Sequence, residues 1–348
     1  MGLFHIQLFN GGRGHDIFPC ERHGMVGGIV GHARGEAMTR PRRRIVVTGR
    51  HGQVVSALLD RAAVHADLDI IPLGRPELDL ADSGSIGPSL SAARPEIIVS
   101  AAAYTSIEQA EADEGLATLV NQTSAGVLGH VAAALGVPII HLSTACVFDG
   151  TRSGAYAETD PVGPLSVYGR SKLGGERAIA YATADHVILR TAWVFSPFGS
   201  NFLKTMLRIA EGRDCVNVIA DEFGTPTSAF DIADAIVSVA RNLLASDEPG
   251  LRGTFHMSGS GQTSWAGFAE EIFRASRARG GPFAAVNPIP SHTYSSAVER
   301  PANAELDCRK LKAMHGVAMS GWRPATERVI ERLFDTMKEA TPMKERQS

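Results

Sequence analysis

Ile45-Val46-Val47-Thr48-Gly49-Arg50-His51-Gly52-Gln53 reads as a strand, a glycine turn and the first residue of a helix. The β-branched run is typical of a strand buried on both faces in a parallel sheet. An apolar-periodic stretch follows, through Leu58 and Leu59. Strand, glycine turn and helix together are the context a dinucleotide-binding turn needs. Gly49 and Gly52 let the backbone approach a pyrophosphate, and the helix N-terminus favours its charge. Val55 stands where a third glycine often sits, which implies slightly wider helix–strand packing.

Further strands follow at the spacing of a repeating strand–helix unit. Leu68-Asp69-Ile70-Ile71 is the second, and Gly74-Arg75 stands just past it. An acid there would meet ribose hydroxyls, whereas Arg75 can meet a 2′-phosphate; a surface loop arginine is the other reading. A third strand runs through 96–105 into the small residues Ala101, Ala102 and Ala103. These permit close approach of a cofactor, or simply tight packing. A helical pattern covers 124–135, and a fourth strand, Val137 onward, ends at Ser143-Thr144. Val187-Ile188-Leu189-Arg190 makes a fifth, with Trp193 just beyond its carboxyl end as a substrate contact or a core residue. The expected fold is α/β, a Rossmann-type doubly wound parallel sheet. Ligands bind beyond the carboxyl ends of such strands, where Thr144 can face a carbonyl.

Composition sets the outer limits. The 348 residues are 44% hydrophobic and 20% charged, room for one large α/β domain or two smaller ones. A net charge of -3 makes nucleic acid a poor default partner. No apolar run reaches the ~20 residues that span a membrane. Cys20, Cys146, Cys215 and Cys308 are scattered without a Cys-x-x-Cys pair, so neither a disulfide framework nor a zinc site is expected. A reducing cytoplasm fits best. Residues 1–42 lack any sustained period and are expected to be a disordered extension, or translation begins at Met38. The glycines at 11–14 and 27–28 lack a strand-then-helix context for a phosphate loop.

Tyr168-Gly169-Arg170-Ser171-Lys172 carries the chemistry. Four positions on a helix stack the phenol and the ammonium on one face. A free phenol has a pKa near ~10. An ammonium about 4 Å away, at an effective dielectric of ~20, is worth roughly 4 kcal/mol. That is about 3 pKa units, enough to bring Tyr168 toward neutrality as the proton donor to a carbonyl oxygen. A chance Tyr-x-x-x-Lys is the alternative reading of the pair alone.

With these blocks in order the chain, from Ile45 to about residue 339, resembles the extended short-chain dehydrogenase/reductases, and within them the dTDP-4-dehydrorhamnose reductase family. The matching blocks include Gly49-x-x-Gly52-Gln53-Val54, Ala101-Ala102-Ala103-Tyr104-Thr105, Ser143-Thr144 and Val147-Phe148-Asp149-Gly150. Tyr168-Gly169-x-Ser171-Lys172, Gly174-x-Glu176, Arg190-Thr191-x-Trp193, Gly224-x-Pro226-Thr227 and Arg300-Pro301 continue the series. The resemblance implies Thr144, Tyr168 and Lys172 as catalytic residues and Trp193 as a substrate contact. It implies cofactor contacts at Gly52, Gln53 and Val54, at Asp79 and Leu80, and at Ala102, Ala103 and Tyr104. It implies NADPH or NADH as cofactor and a nucleotide sugar as substrate. Some members of the family dimerise through a metal, which brings Mg2+ and a homodimer as expectations, though no ligand cluster in the sequence demands a metal.

Four departures stand out. Ala145-Cys146 replaces a usual Asp-Tyr, Ser100 a usual Asn, Val55 a usual Gly and Glu222 a usual Gln. The first removes a carboxylate that, by the resemblance, meets the sugar, so the substrate is more open than the reaction. Residues 43–200 are expected to form the NAD(P)-binding domain, and 201–340 mainly a substrate-binding lobe interleaved with the sheet. Lys204 and Arg300 are candidates for the substrate diphosphate, or else solvated surface charge. The expected reaction is reduction of the C4 ketone of dTDP-4-dehydro-L-rhamnose. A related enzyme of another nucleotide sugar, or a catalytically silent cofactor-binding subunit, are the alternatives.

Overall fold

The computed structural model of the chain describes residues 42–293 and 298–340. The expected disorder over 1–42 falls outside that range, Arg42 apart.

In β1 (Arg43–Thr48), Ile45, Val46 and Val47 are fully buried. Ile45 and Val47 point to one face and pack with Val55, Ala57 and Leu58 of α1 (Gln53–Ala62). Val46 points to the other. A strand apolar on both faces is stable only inside a sheet covered by helices on both sides.

The chain then runs β2 (Leu68–Leu73), α2 (Ser83–Ala93), β3 (Ile97–Ser100), α3 (Ile107–Ala112) and α4 (Glu114–Thr118). A π turn, Leu119–Thr123, leads into α5 (Ser124–Leu135), followed by β4 (Ile139–Thr144), α6 (Val167–Ala182) and β5 (His186–Thr191). Next come β6 (Val194–Phe195), α7 (Phe202–Ala210), β7 (Cys215–Ile219), β8 (Phe223–Gly224), β9 (Thr227–Ser228) and α8 (Ala229–Ala245). β10 (Gly253–His256), β11 (Thr263–Ser264), α9 (Trp265–Arg277), β12 (Ala285–Ile289), α10 (Arg309–His315) and α11 (Trp322–Ala340) complete it.

The main sheet has six strands in the order β2-β1-β3-β4-β5-β10, every neighbouring pair parallel. β2 and β3 flank β1 on opposite sides, with Ile45 opposite both Ile70 and Ile97. The strand order therefore reverses at β1, and the crevice outside the carboxyl ends of β1 and β3 is where such folds take a ligand. α1 and α8 cover one face. Ile86 and Leu90 of α2, Leu128 and Ala132 of α5 and Ile179 of α6 cover the other. A second core gathers Phe195, Leu203, Phe268, Ile272, Trp322, Val329 and Ile330 from β6, α7, α9 and α11.

Some elements differ from the reading of the sequence. The third strand stops at Ser100, because the amides of Ala101 and Ala102 both donate to Thr48 Oγ1 at 3.0 Å and turn the chain off the ladder. α10 begins only at Arg309, since Leu306 bridges to Tyr156 and the Asp307 amide donates to Tyr156 O at 2.8 Å. α2 was not anticipated; it carries Pro88 inside it, and Asp82 caps its N-terminus by accepting from the Gly84 amide. The parallel pairing of β7 with β12 was also unforeseen, being a contact between segments far apart in sequence.

Candidate active site

Four elements converge at the crevice. β1 delivers the glycine turn. Gly49 has φ +101°, a left-handed value that favours glycine, and a Cβ there would come 3.3 Å from Ala102 Cβ and 3.4 Å from Val55 Cγ2. The turn after β1 thus lies in contact with the loop after β3, and Val55 fills the space a third glycine would leave. α1 begins at Gly52 with no side-chain cap and no acid in its first turn, so its leading N–H groups remain available to an anion.

β4 delivers Thr144, buried at its last position, whose Oγ1 accepts from the Cys146 amide at 3.1 Å. α6 delivers Tyr168 and Lys172. Its first turn is held twice: the Val167 amide donates to Glu111 Oε1 at 2.7 Å, and Ser166 caps the Gly169 amide at 3.1 Å. Gly169 has no room for a side chain, since a Cβ would lie 2.3 Å from Cys146 O and 2.9 Å from Pro164 Cβ. That close approach sets Tyr168 beside the turn carrying Thr144.

Lys172 does not act on Tyr168 as the spacing alone suggests. Its ammonium donates to Leu142 O at 2.6 Å and lies 3.2 Å from His141 Nε2. Burial lowers Lys172 to about 8, with the charge of Glu176 opposing. The Tyr168 phenol is pushed up, not down: burial raises it most, Cys146 adds to that, and a hydrogen bond with Thr144 opposes. The expectation of a phenol near neutrality is corrected on that ground: burial disfavours the phenolate, and the ammonium that was to lower it is directed at Leu142 and His141 instead.

Beneath these residues lies a buried ion pair. Arg190 of β5 donates from Nε and Nη2 to Glu176 of α6 at 2.9 and 2.6 Å, and Ser143 Oγ donates to Glu176 Oε1 at 2.5 Å. The pair ties β4, β5 and α6 together directly under Thr144. Removing one partner would leave an uncompensated buried charge.

Trp193 forms a wall of the crevice. It has φ +47°, strained for a residue with a side chain, and stacks on Trp265 with ring centroids 3.6 Å apart and planes 12° from parallel. Trp265 Nε1 donates to Glu222 Oε2 at 3.2 Å. Gly224 makes room, since a Cβ there would lie 2.7 Å from the Trp193 ring. Burial raises the Glu222 carboxyl, and the charge of Arg300 opposes.

The cleft so formed has a volume of about 670 Å3. Of the residues singled out from the sequence, Gly49, Gly52, Gln53, Val54, Ala102, Ala103, Thr144, Tyr168, Lys172, Trp193 and Arg300 line it. Gln53 Oε1 also accepts from Ser196 Oγ at 2.8 Å and Asn201 Nδ2 at 2.9 Å, tying the glycine turn to the segment after β6. Arg300 pairs with Glu108 of α3.

Five others lie outside the lining. Arg75 is exposed beside Gly74, whose carbonyl Arg50 approaches while pairing with Glu77. Asp79 accepts from the Ala81 amide, and the Leu80 carbonyl accepts from Ser124. The Tyr104 side chain packs against Ala110, Ala117 and Val167, the cluster that Tyr168 also packs against. Lys204 donates to Pro197 O at 3.2 Å.

Sequence reasoning missed Trp265 and the part played by Asn121. Asn121, in the π turn, accepts from the Tyr104 amide at 2.8 Å and donates to Tyr104 O at 3.0 Å and Ser171 Oγ at 2.9 Å. It clamps the loop after β3 to α6. The only signal was a pair of glycines, Gly174-Gly175: a Cβ at Gly175 would lie 2.2 Å from Asn121 O. Among the described residues no group of three or more His, Cys, Asp or Glu is placed to hold a metal ion. No described helix is long and apolar enough to cross a membrane.

Residues 43–334 match the family model described as the RmlD substrate binding domain. The chain is 46% identical over 297 residues to the dTDP-4-dehydrorhamnose reductase of Sinorhizobium fredii, covering 85% of this chain and 100% of the relative. A solved structure of dTDP-4-dehydrorhamnose reductase from Bacillus anthracis, in complex with NADP, superposes with a TM-score of 0.78 at 29% identity, covering 84% of this chain and 99% of that one. The Thermus thermophilus UDP-glucose 4-epimerase, at 20% identity and a TM-score of 0.69 over 84% of this chain and 99% of its own, shares the fold.

Proposed function

The chain belongs to the dTDP-4-dehydrorhamnose reductase family, and from that membership we propose that it reduces the C4 ketone of dTDP-4-dehydro-L-rhamnose to the alcohol at the expense of NAD(P)H. The observation that carries this reading is the convergence of Thr144, Tyr168 and Lys172 on one cleft with the Gly49–Gly52 turn.

A nicotinamide cofactor fits the crevice. The left-handed Gly49, the open space around Gly52 and the uncapped start of α1 together suit a pyrophosphate. When bound, NAD(P)H supplies the hydride that reduces the ketone carbon. Tyr168 gives its proton to the ketone oxygen as that oxygen gains charge. A phenol held well above its ordinary range stays protonated over the working pH, as a donor must. Thr144 donates to the same oxygen, a contact worth ~3 kcal/mol in the transition state. Lys172 has one N–H beyond the two directed at Leu142 and His141, and that one serves the ligand side of the cleft. The Trp193–Trp265 stack offers a flat apolar wall to a sugar face, and Arg300 a guanidinium to the diphosphate once it leaves Glu108.

NADPH is used at least as well as NADH, because Arg75 stands just past the second strand, with no acid immediately beside it to repel a 2′-phosphate. Ala145-Cys146 is the observation that favours a different nucleotide sugar, since neither side chain supplies a carboxylate to the cleft. Oxidation of NADPH, followed by its absorbance, against dTDP-4-dehydro-L-rhamnose and a panel of other nucleotide 4-keto sugars separates the two. Fastest turnover of the dTDP sugar supports the proposal; turnover of another sugar alone, or binding without oxidation, overturns it.

A further inference from the structure

We infer that His141, aligned by Ser100, is a positioning residue for Lys172: its unprotonated Nε2 accepts from the Lys172 ammonium and keeps that ammonium charged and directed at the cleft. The inference rests on the proposed reductase reading for its kinetic consequence, but not for its geometry.

The arrangement has one consistent proton assignment. Lys172 Nζ lies 3.2 Å from His141 Nε2, and an ammonium has only donors. Nε2 must therefore be the acceptor and Nδ1 must carry the proton. His141 Nδ1 lies 3.0 Å from Ser100 Oγ, which accepts it. Both side chains are only 2% exposed, so no solvent competes for either bond. Ser100 at the end of β3 thus fixes the tautomer of a histidine on β4, which in turn fixes a lysine on α6.

The surroundings keep His141 neutral. Burial and the facing charge of Lys172 hold its imidazole well below the ordinary histidine range, and His186 of β5 adds to this. Lys172 is faced from its own helix by Glu176, whose carboxylate is shared with Arg190 of β5 and Ser143 of β4. Against the cost of burial, the Lys172 ammonium therefore relies on two neutral acceptors, Leu142 O and His141 Nε2, and on one partly neutralised carboxylate.

Removing the imidazole acceptor must lower the Lys172 pKa further. A hydrogen bond to a charged group is worth about one to two pKa units, and the lower end applies to this contact of 3.2 Å. The basic limb of kcat, where Lys172 loses its proton near pH 8, should then move down by about one unit in His141→Leu. At pH 6 most of the wild-type kcat should return. His141→Gln keeps an acceptor oxygen and should restore the limb. Ser100→Ala frees the tautomer and should shift the limb in the same direction by less. A merely structural role would lower kcat evenly at all pH values and leave the limb in place.

Two measurements decide this. The first is the pH profile of NADPH oxidation with dTDP-4-dehydro-L-rhamnose for the wild type, His141→Leu, His141→Gln and Ser100→Ala. The second is a direct titration of Lys172 by NMR of protein labelled with 13C at lysine Cε, the chain holding six lysines, with Lys172→Met to assign the signal. A Lys172 midpoint lowered in His141→Leu or Ser100→Ala and restored in His141→Gln is the expected result. A midpoint unchanged in both loss variants overturns the inference. If the wild type leaves the sugar unreduced, the reductase reading fails by itself while the lysine titration still decides the part played by His141. Should His141→Leu fail to fold, the Lys172 midpoint in Ser100→Ala decides the matter alone.

Discussion

Replacing Gly169 by alanine tests whether the seat of Tyr168 is set by backbone contact. The added Cβ would lie 2.3 Å from Cys146 O and 2.9 Å from Pro164 Cβ. The first obstacle is a main-chain carbonyl in the turn Ala145–Val147 that follows β4, and it cannot swing aside as a side chain would. Restoring an ordinary carbon–oxygen contact needs about 1 Å of separation between α6 and that turn, and a misplacement of about 1 Å costs on the order of 10²-fold in rate. Over-packing of this kind costs ~1–3 kcal/mol, while alanine in a helix returns up to ~1 kcal/mol relative to glycine. The net loss of ~1–2 kcal/mol corresponds to a fall in Tm of a few degrees. Gly169→Ala should therefore remain folded, bind NADPH, and lose about two decades of kcat with little change in KM. NADPH oxidation and thermal melts, run beside Gly212→Ala, whose Cβ meets nothing within 4 Å, give the comparison. A kcat within about threefold of wild type would refute the argument that this contact positions the phenol.

Other outcomes follow from the same geometry. Tyr168→Phe should lower kcat by about 10²–10⁴-fold while fluorescence still reports bound NADPH; near-normal turnover would remove Tyr168 from the role of proton donor. Arg75→Ala should raise the KM for NADPH severalfold and leave that for NADH unchanged; a parallel rise in both would mean that Arg75 holds its loop and does not read the phosphate. The buried His256 has its pKa lowered to about 3, by burial first and by the charge of Arg190 next. It is therefore neutral in the fold, while the unfolded chain takes up a proton below the ordinary histidine value of about 6.5. The stability it contributes is full above that value and is lost as the pH falls toward 3, by on the order of 5 kcal/mol. Tm should fall more steeply across that interval in the wild type than in His256→Gln, and equal slopes would sink the assignment.

What could be read from the sequence follows the range of the interactions involved. β1, α1 and α5 were legible because their apolar residues repeat at the period of the element, and each is settled by neighbours a few residues away. The turn at Gly49 was legible for the same local reason. Trp265 was not, because its meaning depends on Trp193 and Glu222, which come from other parts of the chain. Asn121 looks like any helical asparagine until the close approach of Gly175 brings it against α6. The sign of the Tyr168 shift was misread because spacing reports which face of the helix a residue takes, but not how much solvent it loses. Lys204, read as a charge for the diphosphate or as solvated surface charge, donates in the fold to a carbonyl of its own loop, a contact that sequence spacing does not report.

The pairing of β10 with β5 bears on how the chain is made. Val187, Ile188 and Leu189 of β5 are almost wholly buried in the finished sheet, and the strand that covers their outer edge is Gly253–His256. During synthesis β5 leaves the ribosome well before β10 does. For that interval an apolar strand has one ladder of backbone groups unpaired, the situation that recruits strands from other chains. A nascent chain stalled before β10 should therefore need a chaperone or aggregate, and one stalled after it should not. The last strand of the sheet acts as a seal that is applied late, so the yield of folded protein depends on how quickly translation reaches it.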